Sequence, residues 1–391
     1  MKKNIICLIL ALCMFELLEE TAEYVWASQD AYPISLAPAV LDTTAPDSVW
    51  TVSNTASNTE IHVSSSAAPD APTNIITDIS PDSSTKTPAA VSPNVSNGAN
   101  KYTIVSDLDF LPMGTDGLSS DGEYLGDASL LMPASQSYGQ ILSAVLRTGH
   151  GELIVVDGGR AEDADYLASI LREQGGKVSA WLITHPHDDH AEALVEILKN
   201  PDSNISISRI YYALAEQEWY ASAEPSRAEF VQKFRETMDA LPAEQTCEVA
   251  FGTQISVDGV DIRVMNDLCK ESNINNSSIA YRLTVNGKRI LFLGDLGDEG
   301  GTHLFEQNST GELKADVVQM SHHGQSGLTK EMYAIIKPEV CLWATPEWLW
   351  NNDAGQGVDS GPWMTLKTRR WMLNLGVKAN LCTKDGDQIL E

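Results

Sequence analysis

The stretch Trp181-Leu182-Ile183-Thr184-His185-Pro186-His187-Asp188-Asp189-His190 constrains this chain more than any other. It opens as an apolar run suited to a buried strand and closes as a knot of imidazoles and carboxylates. Neutral imidazole and carboxylate are the donors that zinc, iron and manganese accept, so several within one turn can converge on a cation. In an extended segment His185 and His187 alternate onto one side. Pro186 fixes its own φ and restricts His185, which lowers the entropy lost on ordering the ligands. The chain holds 8 histidines and three of them fall in these few residues, so a polar loop with chance histidines is a poor account of the cluster.

The surrounding pattern is α/β. Ile141 to Arg147 and Glu152 to Val156 read as strands joined at Gly149-His150-Gly151, a hairpin signal, and the second runs into Asp157-Gly158-Gly159. An amphipathic helix is expected over Ala161 to Gln174, with Tyr166, Leu167, Ile170 and Leu171 on one stripe and Gly175-Gly176 as its stop. It feeds a strand from Val178 to Thr184, followed by a strand over Ile205 to Tyr212 and a helix over Arg227 to Ala240. Strand, helix, strand is the crossover unit of a sheet covered by helices. The segment Glu216 to Pro225 is expected near the mouth of the cleft, as loop or helix.

Two further apolar runs end in metal-binding residue types. Arg289-Ile290-Leu291-Phe292-Leu293 ends in Gly294-Asp295, which puts a carboxylate at a sheet edge where its oxygens can touch two cations. Ala315 to Met320 leads into Ser321-His322-His323-Gly324.

Together, and in this order, these motifs resemble those of the metallo-β-lactamase superfamily. The H-x-H-x-D-H pattern falls on His185, His187, Asp189 and His190, leaving Asp188 variable. The resemblance implies an αβ/βα four-layer sandwich, one metal held by His185 and His187, a second held by Asp189 and His190, and Asp295 as the bridge. Asn275-Asn276-Ser277-Ser278, Gly294-Asp295 and His322-His323-Gly324 look most like a subgroup that contains competence DNA-uptake hydrolase domains and secreted phosphorylcholine esterases. That likeness spans about residues 128 to 388, and implies His323 as a metal ligand, His322 as a phosphate contact or acid, and Asp189 as catalytic as well as ligating. The implied cofactor is one or two Zn²⁺ ions, with Mn²⁺ or Fe²⁺ as alternatives. One departure matters: no histidine lies between His190 and Asp295, so the usual third imidazole on the first metal is missing. Asn275 or Asn276 can lend a carbonyl oxygen there, although an amide is a poorer zinc ligand.

Met1-Lys2-Lys3 and the apolar Ile5 to Phe15 read as an export signal over residues 1–27, with cleavage after Val25-Trp26-Ala27 as the first reading and retention as an uncleaved anchor as the second. Residues 28–100, rich in Ser, Thr, Ala, Pro, Asn and Asp, read as a mostly disordered spacer, residues 1–100 together as a route to cell-surface association, and residues 101–391 as the hydrolase domain. Val49-Trp50-Thr51-Val52 and Glu60-Ile61-His62-Val63 leave room for local strands within the spacer. The formal charge is −28; residues 1–100 hold 3 basic and 11 acidic side chains, leaving 23 and 43 in the remainder, near −20. Such a field repels polyanions and weighs against long nucleic acid as partner. Cys247, Cys269, Cys341 and Cys382 allow three full pairings or buried thiols. Trp343, Trp348, Trp350 and Trp363 are either core or faces for a quaternary ammonium group.

The expected function is exported, metal-dependent hydrolysis of a small phosphodiester-type substrate by metal-activated water. A competence-type nuclease, a lactam or lactone hydrolase, and a surface-binding protein with a degenerate metal site are the rivals.

Overall fold

The structure, a computed structural model, describes residues 49–54, 59–64, 108, 111–118 and 124–391. The expected export signal over 1–27 and most of the expected spacer lie outside the described residues. Within that spacer Val49–Asn54 (β1) and Thr59–Ser64 (β2) pair antiparallel, Val49 opposite Ser64 and Asn54 opposite Thr59, so the two short apolar runs form a hairpin.

The described residues from 108 onward form a second unit, built around two sheets. The first takes β3 (Ser129–Met132), β4 (Ser143–Arg147), β5 (Leu153–Asp157), β6 (Lys177–Leu182), β7 (Ser206–Ile207), β8 (Ile210–Tyr212) and β9 (Thr246–Glu248). The second takes β10 (Gln254–Val257), β11 (Val260–Val264), β12 (Tyr281–Val285), β13 (Lys288–Phe292), β14 (Val317–Gln319), β15 (Val340–Trp343) and β16 (Ala379–Cys382). Finally β17 (Gln388–Leu390) returns to pair with β3, giving the first sheet the order β17-β3-β4-β5-β6-β8-β9 with β7 beside β6. Each sheet is antiparallel at one side and parallel at the other, β5-β6-β8-β9 and β13-β14-β15-β16 being the parallel runs.

Strand periodicity assigns the layers. Along β5, Ile154 and Val156 enter the core between the sheets with Leu146, Leu182, Leu283 and Phe292, whereas Leu153 and Val155 face an outer helix layer. That layer is α1 (Ala164–Glu173), α2 (Asp188–Lys199), α3 (Gln217–Ala223) and α4 (Ala228–Asp239), of which α1, α2 and α4 pack on the first sheet through Leu167, Leu194 and Phe234. On the far side lie α5 (Asp298–Gln307), α6 (Thr310–Leu313), α7 (Lys330–Ile336), α8 (Glu347–Trp350) and α9 (Thr365–Leu375), covering the second sheet through Leu304, Tyr333 and Met372. The layers run helix, sheet, sheet, helix, the αβ/βα sandwich expected. Strands buried on both faces read as continuous apolar runs, which is why β5 and β13 were visible in the sequence.

The expected β4-β5 hairpin forms, and the helices over Ala161 to Gln174 and Arg227 to Ala240 appear as α1, preceded by a 3-10 turn over Ala161–Asp163, and as α4. The single strand expected over Ile205 to Tyr212 is instead two, because the chain kinks at the polar Ser208-Arg209: Ser208 N–H donates to Val178 O and Arg209 O accepts from Trp181 N–H. All four cysteines outside the signal are free thiols, so none of the three pairings forms. Among the described residues no helix is long and apolar enough to cross a membrane.

Candidate metal centre

The first sheet delivers one half of the site. β6 ends at Leu182, His185 and His187 follow in extended chain, and α2 starts at Asp188, so Asp189 and His190 occupy its first turn. Behind them Asp157, at the end of β5, is fully buried with φ +54°. Its Oδ1 accepts from Thr184 N–H (2.8 Å), its Oδ2 accepts from the Thr184 hydroxyl (2.7 Å) and faces His190 Nδ1 (2.8 Å). Its own carbonyl accepts from Trp181 Nε1–H at 2.9 Å. A carboxylate that takes the Nδ1–H leaves Nε2 of His190 as the lone-pair nitrogen, which is how a ligating histidine is oriented. Asp157-Gly158-Gly159 is therefore more than a turn.

The second sheet delivers the other half from two neighbouring parallel strands. Gly294, φ +55°, lies so close to the first loop that a Cβ there would stand 2.8 Å from Thr184 Cβ, and this approach brings Asp295 to the histidines. Asp295 N–H donates to Ser278 Oγ (3.0 Å). The buried Gln319 side chain joins the strand ends: Oε1 accepts from Leu293 N–H (2.8 Å), and Nε2 donates to Gly294 O (3.1 Å) and Met320 O (2.7 Å). His322 and His323 are both left-handed, φ 51° and 52°. For non-glycine residues this costs about 1–3 kcal/mol each and persists where the surroundings over-determine it. Here Thr345 Oγ1–H donates to His323 O (2.7 Å), Ala344 O accepts from His323 Nδ1 (2.9 Å), and the Trp343 ring lies beneath Gly324.

The two halves converge. Donor atoms of His185, His190 and Asp295 form one buried triad, and those of Asp189, His190 and His323 a second. His190 Nε2 is 3.3 Å from Asp295 Oδ2, and His323 Nε2 is 3.4 Å from both Asp189 Oδ2 and Asp295 Oδ2. Ligands about 2.0–2.1 Å from a tetrahedral zinc stand about 3.3–3.4 Å apart, so these spacings suit a shared cation. His185 Nε2, His190 Nε2, His323 Nε2, Asp295 Oδ1 and Asn275 Oδ1 are buried without a hydrogen-bond partner among the described residues. Unsatisfied buried donors and acceptors are rare in folded proteins and call for an ion or water, so the residues present fit a divalent metal.

Charge follows the same geometry. Burial pushes the Asp295 and Asp189 carboxyls up, but His190 and His323 hold Asp295, and these two with Arg160 hold Asp189, well below the carboxylate range. Burial likewise pushes the partners down, yet Asp295 and Asp157 hold His190 well above the histidine range, and Asp295 and Asp189 push His323 up to about 9. Protons on these imidazoles balance the carboxylates, the balance a metal cation supplies when it replaces them. His185, by contrast, is driven well below by burial and by His190 and His187.

Expected and observed sites differ in partition. His190 stands with Asp189 in the triad that His323 completes and also with His185 and Asp295 in the other, whereas His187 belongs to neither. His187 Nε2 instead faces Glu224 Oε2 at 3.1 Å. His322 also stands outside the triads, with Nε2 4.0 Å from Asp295 Oδ2 and 3.3 Å from Asn275 Nδ2. Between the two asparagines, Asn276 is fully engaged: its Oδ1 accepts from Gly297 N–H and Gly300 N–H, and its Nδ2 donates to Glu271 O and Glu299 Oε2. Asn275 keeps its carbonyl oxygen unused and is the one suited to face a cation.

Several residues escaped the sequence reading. Glu224 was visible only as an acid before Pro225, in a segment placed loosely at the cleft. Asp188, the variable position, is gripped by Arg160 Nη1 (2.6 Å) and by Arg227 Nη1, and Arg160 Nη2 lies 3.7 Å from Asp189. The tryptophans divide: Trp343 and Trp350 are core, edge to face at 5.2 Å, with Arg369 4.0 Å over Trp350, which removes both from any ammonium cage. Trp348 and Trp363, 4.8 Å apart, remain half-buried, and the exposed Tyr138 stacks on Trp348 at 6.1 Å.

Residues 138–249 match the family model of the metallo-beta-lactamase superfamily, a segment that contains His185 to His190 but not Asp295 or His323. No curated protein matches the chain. Among solved structures, the metallo-beta-lactamase fold protein YhfI from Bacillus subtilis is 10% identical with a TM-score of 0.43, covering 67% of this chain and 99% of that one. A diphosphatase from the PhnP family is 15% identical with a TM-score of 0.35, covering 55% of this chain and 85% of that one. The metallo-β-lactamase MIM-1 from Novosphingobium pentaromativorans is 14% identical with a TM-score of 0.31, covering 48% and 74%. The segment over residues 138–249 is thus a metallo-beta-lactamase superfamily segment that carries the histidine loop, and the second sheet completes a set of donors suited to a divalent metal.

Proposed function

We propose that this protein is an exported phosphodiesterase that hydrolyses a small diester. The observation that carries this reading is His322, an imidazole beside both triads and part of neither. A site built only to hold metal has no use for a strained histidine there, whereas a phosphoryl group needs a hydrogen-bonding partner beyond the cations. Burial holds the His322 imidazole below the ordinary histidine range, so it is neutral near pH 7. With Nδ1 facing Ser326 O at 3.5 Å and Nε2 facing Asn275 Nδ2, the Nε2 lone pair is the end turned toward the site. In that tautomer His322 accepts a proton or steadies a protonated oxygen, and it acts as acid only after taking that proton. Bound metal supplies Lewis acidity toward the phosphoryl oxygen and the attacking water. Asp189, on the rigid first turn of α2, and Asp295 fix where that chemistry happens, and Arg160 holds the rim through Asp188.

The acidic charge supports a small substrate. The basic side chains beside the metal loop, Arg160 and Arg227, are engaged by Asp188 and do not form a track for a polyanion. The export signal over 1–27 and surface association through the spacer belong to the same proposal. The test pairs metal analysis with turnover of a chromogenic phosphodiester. His322→Ala should lower turnover by roughly 10²–10⁴-fold with metal content intact, whereas His323→Ala should lower both. Loss of metal in the His322 variant reverses the assignment, and single-stranded DNA cleaved with a higher kcat/KM than the small diester replaces it with the nuclease reading.

A further inference from the structure

The least complete side of the metal centre is the one where His187 and the turn that carries Asn275 meet on Glu224. Here the third imidazole is missing, and His187 lies outside both triads. One side chain touches both sides of this gap. Glu224, at the C-terminal end of α3, accepts from Ile274 N–H through Oε1 (2.9 Å) and faces His187 Nε2 through Oε2 (3.1 Å). Ile274 is the residue before Asn275 and opens the buried turn Ile274–Ser277 that carries it.

We infer that Glu224 is a positioning residue that builds the histidine-poor metal position from two directions at once. A neutral imidazole carries one N–H. Placed against a carboxylate, Nε2 of His187 carries it, so Nδ1 is left with the lone pair that a cation needs. The second oxygen fixes the backbone one residue ahead of Asn275, whose Oδ1 is buried and unpartnered while its Nδ2 reaches His322. Glu224 thereby sets the tautomer of one weak donor and the place of another. Its own connection to the fold is short, because α3 packs through the buried Tyr220 on Ile274 and Val231. The inference rests on the metal centre and not on the identity of the substrate.

The chemistry of the side chain supplies a sharp test. A carboxylate accepts at both oxygens, whereas an amide accepts at one and donates at the other, so Glu224→Gln keeps the shape and must either lose the Ile274 contact or present an N–H to His187 Nε2, which turns His187 into the Nδ1–H tautomer and removes the lone pair a cation needs. In the unaltered protein, nitrogen NMR of the imidazoles should show His187 as the Nε2–H tautomer, and this proton should persist when Zn²⁺ is added. In Glu224→Gln, zinc titration against a competing chelator should show one of two binding steps weakened by roughly 10–100-fold and the tighter step unchanged. Loss of the Nε2 proton on zinc addition overturns the role, since it means that Nε2 or Glu224 ligates directly. Two unchanged steps in the variant also overturn it and leave the phosphodiesterase reading standing. Equal weakening of both steps identifies a fold-wide effect and overturns it too. No zinc uptake by the unaltered protein removes the metal centre and this role together. The tautomer measurement needs no variant, so a folding defect in Glu224→Gln cannot rescue the idea.

Discussion

The two ends of the metal centre are built to different standards. At the His190–His323 end both imidazoles are fully buried, each has its Nδ1 committed to an acceptor (Asp157 or Ala344 O), and each faces a carboxylate at 3.3–3.4 Å. At the His187–Asn275 end one imidazole leans on Glu224, which is partly exposed, and the other donor is an amide. Burial strengthens every charge–dipole contact and bars water from competing, so the first end should bind its cation more tightly than the second. The contrast teaches that ligand count alone does not rank a site; the second ring nitrogen of each histidine does.

The largest effect that sharpens this contrast is expected from Asp157→Ala. It strips acceptors from Thr184 N–H, the Thr184 hydroxyl and His190 Nδ1 at a position with no solvent access. Denaturant unfolding should show a loss of about 3–5 kcal/mol, and because Asp157 orients His190, the tight metal step should weaken. A variant that keeps the tight step would mean the support is spread over other contacts. Next is Gly324→Ala, where φ is +78° and a Cβ would stand 2.5 Å from the Trp343 ring. A cost of about 2–4 kcal/mol should appear as a lower melting temperature, with the tight step affected through His323. A melting temperature within a degree of the parent would show the turn to be unstrained. Smaller again is a paired comparison. Asn276→Ala removes the acceptor for Gly297 N–H and Gly300 N–H at the start of α5 and should cost about 1–2 kcal/mol with little change in metal affinity. Asn275→Ala should cost less stability and weaken only the looser step. Reversal of this pattern would move the weak-end donor from Asn275 to Asn276.

Much of the tight end was legible from the sequence, because each of its ligands follows a buried strand: Leu182 before the histidine loop, Phe292 before Gly294-Asp295, Gln319 before His322-His323. A continuous apolar run that stops at ligand residue types is a local signal, and local signals survive in one dimension. What stayed hidden depends on side chains far apart in the chain. Glu224 meets His187 across 37 positions and Ile274 across 50, Arg160 meets Asp188 across 28, and nothing in the periodicity of α3 marks its last turn as chemical. The tryptophans failed for a related reason. The sequence set Trp343, Trp348, Trp350 and Trp363 side by side, but only packing separates Trp343, which lies against Gly324, from the half-buried Trp348.

The division of ligands between the sheets has a consequence for fragments. The segment that sequence comparison detects ends at residue 249, before the second sheet begins. A chain cut there would hold His185 to His190 without Asp295 or His323. It would also present Leu130, Leu146, Ile154, Val156 and Leu182 to water, the face that the second sheet covers. At roughly 1.5–3 kcal/mol for each side chain stripped of cover, such a piece would associate or aggregate rather than stand alone. The recognisable part of this protein is thus not a portable part: neither a catalytic transplant nor a soluble reporter can be made from it without the strands that follow.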